Sequence, residues 1–236
     1  MTQTDEVLPS GDVERWLAPS EFCDHEHPAV RAFAERHTSG TSGPTEAAVA
    51  LFLAVRDGLW YDPYSSDLDR SAFKASTVVG LERSWCVPKS ILLTAVARAV
   101  GIPARLGFAD VRNHLHSEKL ITSMGTDLFV FHGYSELLLD GRWRKASPAF
   151  NIELCRRFGT RVLDFNGIDD ALFHPFDEAG NRHMEYVRQR GSYDEFPYEE
   201  MVAAFDEVYG DDSMPAGGGA ERAGDDAFAP APVTPD

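Results

Sequence analysis

The order of elements predicts an α+β chain. Helical patterns fill the first hundred residues, strand patterns follow, and an Asp-Gly turn closes a hairpin near residue 140. With 236 residues, 43% of them hydrophobic and 11% aromatic, the chain can bury a core, which excludes a disordered acidic protein. Length sets the expectation of a single domain, placed at 1–210. The stretch 211–236 holds eight Gly or Pro and little that could form a buried face, and reads as a disordered, solvating tail.

The elements follow in order. Pro28 to His37 has helical spacing. A second helix follows Thr41-Ser42-Gly43: Pro44 suits the first helical position, Glu46 puts a carboxylate in the first turn, and Val49, Leu51, Phe52, Leu53 and Val55 fill the buried side up to Gly58. Trp60 to Tyr64 reads as an aromatic loop, and Ala72 to Gly80 as a linker. From Cys86 the chain runs CVPKSILLTAVARAVGIPAR, with Ile91, Leu92, Ala95, Val96, Ala99 and Val100 at spacings of three and four. That pattern predicts a helix packed on one side, stopped by Gly101 and Pro103. Ala104 to Val111 reads as a strand, Asn113 to Gly125 as a polar loop, and Leu128 to Leu139 as a long strand paired with Arg142 to Ser147. With Asp140 and Gly141 as the two turn residues, paired positions sum to 281. Leu138 then faces Trp143, Glu136 faces Lys145, and Tyr134 faces Ser147. His132 and Ser147 become diagonal neighbours, about 7 to 8 Å apart at the backbone. A slip of one residue would turn His132 to the other face. A final helix is expected from about Pro197 to Tyr209.

Charge and cysteine count narrow the partners. The chain carries 22 Lys and Arg against 38 Asp and Glu, a formal charge of −16, of which −5 belongs to the tail. Clustered positive charge for nucleic acid or an anionic membrane face is missing. No apolar run approaches the roughly 18 residues needed to span a bilayer. The N-terminal MTQTDEVLPSGDVERW has neither the basic start nor the apolar core of a secretory leader. Cys23, Cys86 and Cys155 are an odd set without metal-type spacing, which points to free thiols in a reducing, cytoplasmic compartment.

Cys86 is the chemically distinctive thiol. At the start of a helix it meets the positive end of the dipole and unpaired backbone N–H groups, both of which favour thiolate. The same N–H groups are the donors an oxyanion needs. A histidine on a neighbouring strand, His132, can take the thiol proton and return it to a leaving amine. The competing reading is a small buried hydrophobe and a satisfied core histidine, and Cys23 and Cys155 are given that reading outright.

Two motifs bear on the choice. Trp85-Cys86-Val87-Pro88-Lys89-Ser90 through Arg98-Ala99-Val100-Gly101-Ile102-Pro103-Ala104-Arg105 resembles the core of the transglutaminase-like superfamily, a Cys-headed helix ending in R-A-x-G-I-P-A-R. His132-Gly133-Tyr134-Ser135-Glu136 with Asp140-Gly141-Arg142-Trp143 resembles that family's H-x-[WY]-x-E strand and D-G-x-W hairpin. The resemblance covers about Trp60 to Asn151. It implies a papain-like α+β fold, a nucleophile-bearing helix on an antiparallel sheet or barrel, and acyl transfer or hydrolysis at an amide or peptide bond through a thioester. It casts Cys86 as nucleophile and His132 as base, with water or an amine as acceptor and no cofactor or metal. The family's orienting Asp is replaced by Ser147, whose hydroxyl can fix the tautomer but brings no charge. Asn151 is the alternative orienter, in step with Ser147 if the strand continues past Pro148. Missing that carboxylate, the domain has a second reading as a degenerate module that binds a peptide or partner without cleaving it.

Trp60, Tyr61 and Trp85 are candidate walls of the acyl site or core residues, and Tyr134, at the aromatic motif position, joins them. Glu136 opposite Lys145 reads as a cross-strand ion pair. His114 and His116, with His25 and His27 upstream, would serve a metal only without any fixed-spacing motif, and a polar loop walling the cleft is the preferred reading. His174-Pro175-Phe176-Asp177 and His183-Met184-Glu185-Tyr186 fall in a segment of strands and turns with no chemistry assigned.

Overall fold

A computed structural model describes residues 13–65, 67–114, 121–122, 124–173 and 184–210. The expected tail, His116, His174 to Asp177, His183 and most of the expected polar loop lie outside those residues. A 3-10 turn at Val13–Trp16 leads to α1 (Pro28–Thr38), whose N-terminus is capped by the His27 ring: Nδ1 accepts from the Ala29 N–H at 3.2 Å. In α2 (Pro44–Gly58) Pro44 opens the helix, and Glu46 reaches back to accept from the Ser42 N–H at 2.6 Å.

The expected aromatic loop contains a short strand, β1 (Trp60–Tyr61), parallel to β2 (Arg83–Ser84). The expected linker between them is folded: a 3-10 turn at Arg70–Phe73 and a short helix, α3 (Ala75–Val78), bury Phe73, Ala75 and Val78 completely. That crossover lets the two strands run parallel, and it brings Tyr61 and Trp85 to the same end of the next helix.

α4 (Cys86–Ala99) is the centre of the molecule. Its spacing predicts one buried face, yet every residue from Cys86 to Arg98 is buried, because α1, α2 and α3 cover one side and the sheet the other. Its four long or polar misfits are each satisfied. The Lys89 ammonium donates to the carbonyls of Arg56 and Leu59 at 2.9 and 2.7 Å, buried acceptors at the C-terminal end of α2. Ser90 Oγ donates to the Cys86 carbonyl at 2.8 Å, and Thr94 Oγ1 to Ser135 Oγ at 3.1 Å. Arg98 donates to the carbonyls of Ala104, Ala18 and Asp194.

The sheet is open and antiparallel, in the order β5-β4-β3-β6: β3 (Ala104–Asn113), β4 (Leu128–Leu139), β5 (Arg142–Ala146) and β6 (Met184–Tyr193). Among the described residues no barrel closure occurs, so of the two expected forms it is the sheet that is present. The β4–β5 register agrees with the expected one: Leu138 pairs with Trp143 and Glu136 with Lys145. Asp140 and Gly141 supply the two positive φ angles, 50° and 75°, that a tight hairpin turn needs. Pairing stops at Ala146, one residue short of the expected end, where Ser147 N–H donates instead to the Ala171 carbonyl at 2.9 Å. The chain then turns through Pro148 into a short helix, α5 (Ile152–Phe158), and after β6 ends in α6 (Tyr198–Tyr209).

The expected cross-strand pair of Glu136 with Lys145 forms, as one part of a larger cluster. Lys145 Nζ stands 3.9 Å away, but the carboxylate mainly accepts from Arg105 Nε on β3 and from Ser192 Oγ at 2.9 Å. The Arg105 guanidinium also lies 4.1 Å over the Trp143 ring. So three positions of the two motifs, Arg105, Glu136 and Trp143, form one structural cluster that holds β3, β4 and β5 together.

Candidate active site

Cys86 is the first residue of α4, and His132 lies in β4; what brings them together is Gly133. A Cβ placed on Gly133 would stand 3.1 Å from Val87 Cα, so the absence of a side chain lets the first turn of α4 rest on the strand backbone. The Cys86 thiol accordingly meets the Gly133 N–H, together with those of Val87 and Cys86 itself.

A β-bulge aims the histidine. Ala109 pairs with His132 but Val111 with Phe129, so β4 carries one extra residue there, and Phe131 takes φ 56°, the left-handed region. Asp110, buried opposite, holds this turn by accepting from the Phe131 N–H at 3.1 Å, and is itself bound by Arg190 Nε. The bulge resets the alternation of side chains immediately before His132.

The imidazole is enclosed. Ser147 Oγ lies 3.4 Å from Nε2, with Phe173 and Tyr186 rings beside it, and His132 is only 5% exposed. Burial pulls its pKa down to about 4, with no negative partner to oppose that. Burial likewise pushes the Cys86 thiol up to about 11, although the surrounding N–H groups and Lys89 act in the opposite direction. The helix-start contribution expected from sequence is therefore present but outweighed by desolvation. Both groups are neutral at rest near pH 7.

Cys86 and His132 share a pocket of about 700 Å³ of empty space, part of it open to solvent. Tyr61 and Trp85, two of the expected wall residues, line it. Trp60 and Tyr134 do not: Trp60 packs on the core beside it. The Tyr134 ring covers Gly107, where a Cβ would come within 2.1 Å, and its hydroxyl donates to Gln189 at 3.2 Å. Asn151 is not in step with Ser147 on β5, whose pairing ends at Ala146; its Oδ1 accepts from the Tyr61 N–H at 3.2 Å and so anchors a pocket wall. Of the other histidines, His114 Nε2 stands 3.4 Å from Glu185 Oε2.

Several pocket residues had no separate signal in the sequence. Phe205 and Tyr209 come from α6, where the Tyr209 hydroxyl donates to the Leu128 carbonyl at 3.1 Å and accepts from the Val130 N–H at 2.8 Å, taking the place of a neighbouring strand. Gly133 and Lys89 were legible in principle, as a glycine next to a candidate base and a charge inside an apolar helix pattern.

Comparisons with known proteins give a family for the chain. A family model described as the Transglutaminase-like superfamily matches residues 31–148, half of the chain. No curated protein matches. A solved structure described as a "Putative Cysteine Protease" from Cytophaga hutchinsonii is 20% identical over 59% of this chain, with a TM-score of 0.47, and the match spans 43% of that protein.

Proposed function

The chain belongs to the transglutaminase-like superfamily, and from that premise we propose that it is a cysteine-dependent enzyme acting on an amide or peptide bond through a thioester on Cys86. The observation that carries this reading is the meeting of Cys86 and His132 in one pocket, with Ser147 Oγ 3.4 Å from His132 Nε2.

Because both groups are neutral at rest, His132 removes the thiol proton as the bond forms. Sulfur attacks the carbonyl carbon, the proton passes to the ring, and the carbonyl oxygen gains the negative charge, facing the backbone N–H groups at the start of α4. Collapse breaks the C–N bond, and the leaving amine takes the proton from the imidazolium. Water or an amine then attacks the thioester, gives its proton to His132, and releases an acid or a new amide with Cys86 restored. Ser147 steadies the ring through Nε2. Three free thiols suit a reducing, cytoplasmic compartment, and no helix among the described residues is long and apolar enough to cross a membrane.

One observation favours a second reading. Ser147 brings no charge to the imidazolium, as expected of a domain that binds a partner without turning it over. Alkylation with iodoacetamide, followed by mass spectrometry, separates the two. Cys86 lines an accessible pocket, whereas Cys23 and Cys155 are sealed, so Cys86 reacts first in either case. In the enzyme its rate at pH 7 falls at least about 100-fold in His132→Gln, the low end of what a general base contributes. An unchanged rate in a folded variant sinks the catalytic reading, and a Cys86→Ala protein that keeps full biological function supports the module.

A further inference from the structure

A quarter of the chain is charged, yet among the described residues none that lines the Cys86 pocket is Asp, Glu, Lys or Arg. Apart from Asn113 and His132, its walls are mostly rings and aliphatic groups brought together from separate parts of the chain, Tyr61, Trp85, Val111, Phe129, Phe150 and Phe205 among them. The Tyr209 hydroxyl, which would add polarity, is turned onto the β4 backbone as donor and acceptor. Asp110 and Arg190, the nearest pair of charges on the bulge, neutralise one another outside the lining.

We infer that the acyl group this site accepts is uncharged and apolar, an aromatic or branched aliphatic residue seated in that pocket with its carbonyl carbon at Cys86. An apolar group gains by leaving water here, while a carboxylate or ammonium would be stripped of water with no oppositely charged side chain among the described lining residues. The inference rests on the catalytic reading above and gives it a substrate class.

The test uses the N-acetyl chloromethyl ketones of Phe, Leu, Glu and Lys. In each, Cys86 sulfur bonds to the methylene carbon and chloride leaves, so alkylation at Cys86 by mass spectrometry reports how the side group is received. The Phe and Leu ketones should react at least about tenfold faster than the Glu and Lys ketones, the lower bound for burying a large apolar side chain. In Phe129→Asp, which alters a half-buried wall, the Lys ketone should gain on the Phe ketone by at least about threefold. Met124→Glu provides the same readout from another wall, and iodoacetamide, which carries no side group, checks that Cys86 in each variant still reacts. Four equal rates at Cys86, with the iodoacetamide rate still dependent on His132, overturn the apolar pocket and leave the enzyme standing. Loss of the His132 dependence overturns both.

Discussion

Replacing Ser147 by Asp, with Ser147→Asn as its uncharged counterpart, tests how His132 is governed. Ser147 Oγ stands 3.4 Å from Nε2, so a carboxylate at that position would lie about 4 Å from the imidazolium charge. At an effective dielectric constant of about 20 this interaction amounts to about 4 kcal/mol, or about 3 pKa units. Opposite charges at this range commonly shift a pKa by about 1 to 3 units. His132, held at about 4 by burial alone, should rise to about 5 to 7 in Ser147→Asp. Asn has the same size and offers a neutral acceptor, so Ser147→Asn should leave it within about one unit of the parent. The assay is an NMR titration of the histidine ring resonances, with His132→Gln to assign the signal. Equal titration in the Asp and Asn variants would refute the placement of residue 147 on the imidazole, and a parent His132 titrating near 6.5 would refute burial as the cause.

Three other outcomes follow from the same geometry. Gly133→Ala must push its Cβ against Val87 Cα at 3.1 Å, and urea melts should show a loss of about 1 to 3 kcal/mol together with slower alkylation of Cys86 as the helix start lifts from the strand. His132 is depressed from 6.5 to about 4 on folding; between those values the unfolded chain binds the extra proton, so stability falls as the pH drops from 6.5 to 4, by up to about 3 kcal/mol, and His132→Gln should flatten that part of a denaturation-versus-pH curve. Lys89→Met leaves the Arg56 and Leu59 carbonyls without their donor, at about 1 to 3 kcal/mol each. Because folding lowers the Lys89 pKa from 10.5 to about 7, the parent should gain stability between pH 7 and 9, and the variant should lose that gain in the same melts.

What was legible in the sequence was what local chemistry decides. Asp140-Gly141 can form only a few turns, and once that turn is fixed the pairing of Leu138 with Trp143 and the diagonal approach of Ser147 to His132 follow from strand geometry. The start of α4 was equally readable, since Gly101 and Pro103 bracket it from the far end. The bulge at Phe131 was not, because it depends on Asp110 from the adjacent strand, whose register no local pattern states. The condition that would put Asn151 in step with Ser147, a strand running on past Pro148, is not met, since proline cannot donate to a ladder and β5 ends at Ala146. Strand β6, EYVRQRGSY after Met184, is too polar to announce itself and forms because β3 offers it an edge. The hairpin likewise showed the Lys145 partner of Glu136 but could not show the additional one, Arg105 on β3.

The energetics of the pair set the order of events at the site. With the thiol near 11 and the imidazole near 4, moving the proton at rest would cost roughly 9 kcal/mol at 1.36 kcal/mol per unit. Attraction between the resulting charges would return only a few kcal/mol. A preformed thiolate and imidazolium is thus uphill, and neither Ser147 nor the helix start closes the gap. Substrate changes the balance only by accepting the sulfur as the proton leaves it, so that the negative charge passes to the carbonyl oxygen and its backbone donors and is never held by a buried thiolate. A site of this kind reacts only slowly with electrophiles that leave the pocket unfilled and depends for speed on the fit of the acyl group, which brings the carbonyl into reach. That dependence ties reactivity to the apolar pocket: a ligand that fills it gains both the burial energy and the alignment of the carbonyl with sulfur, whereas a charged one loses both together.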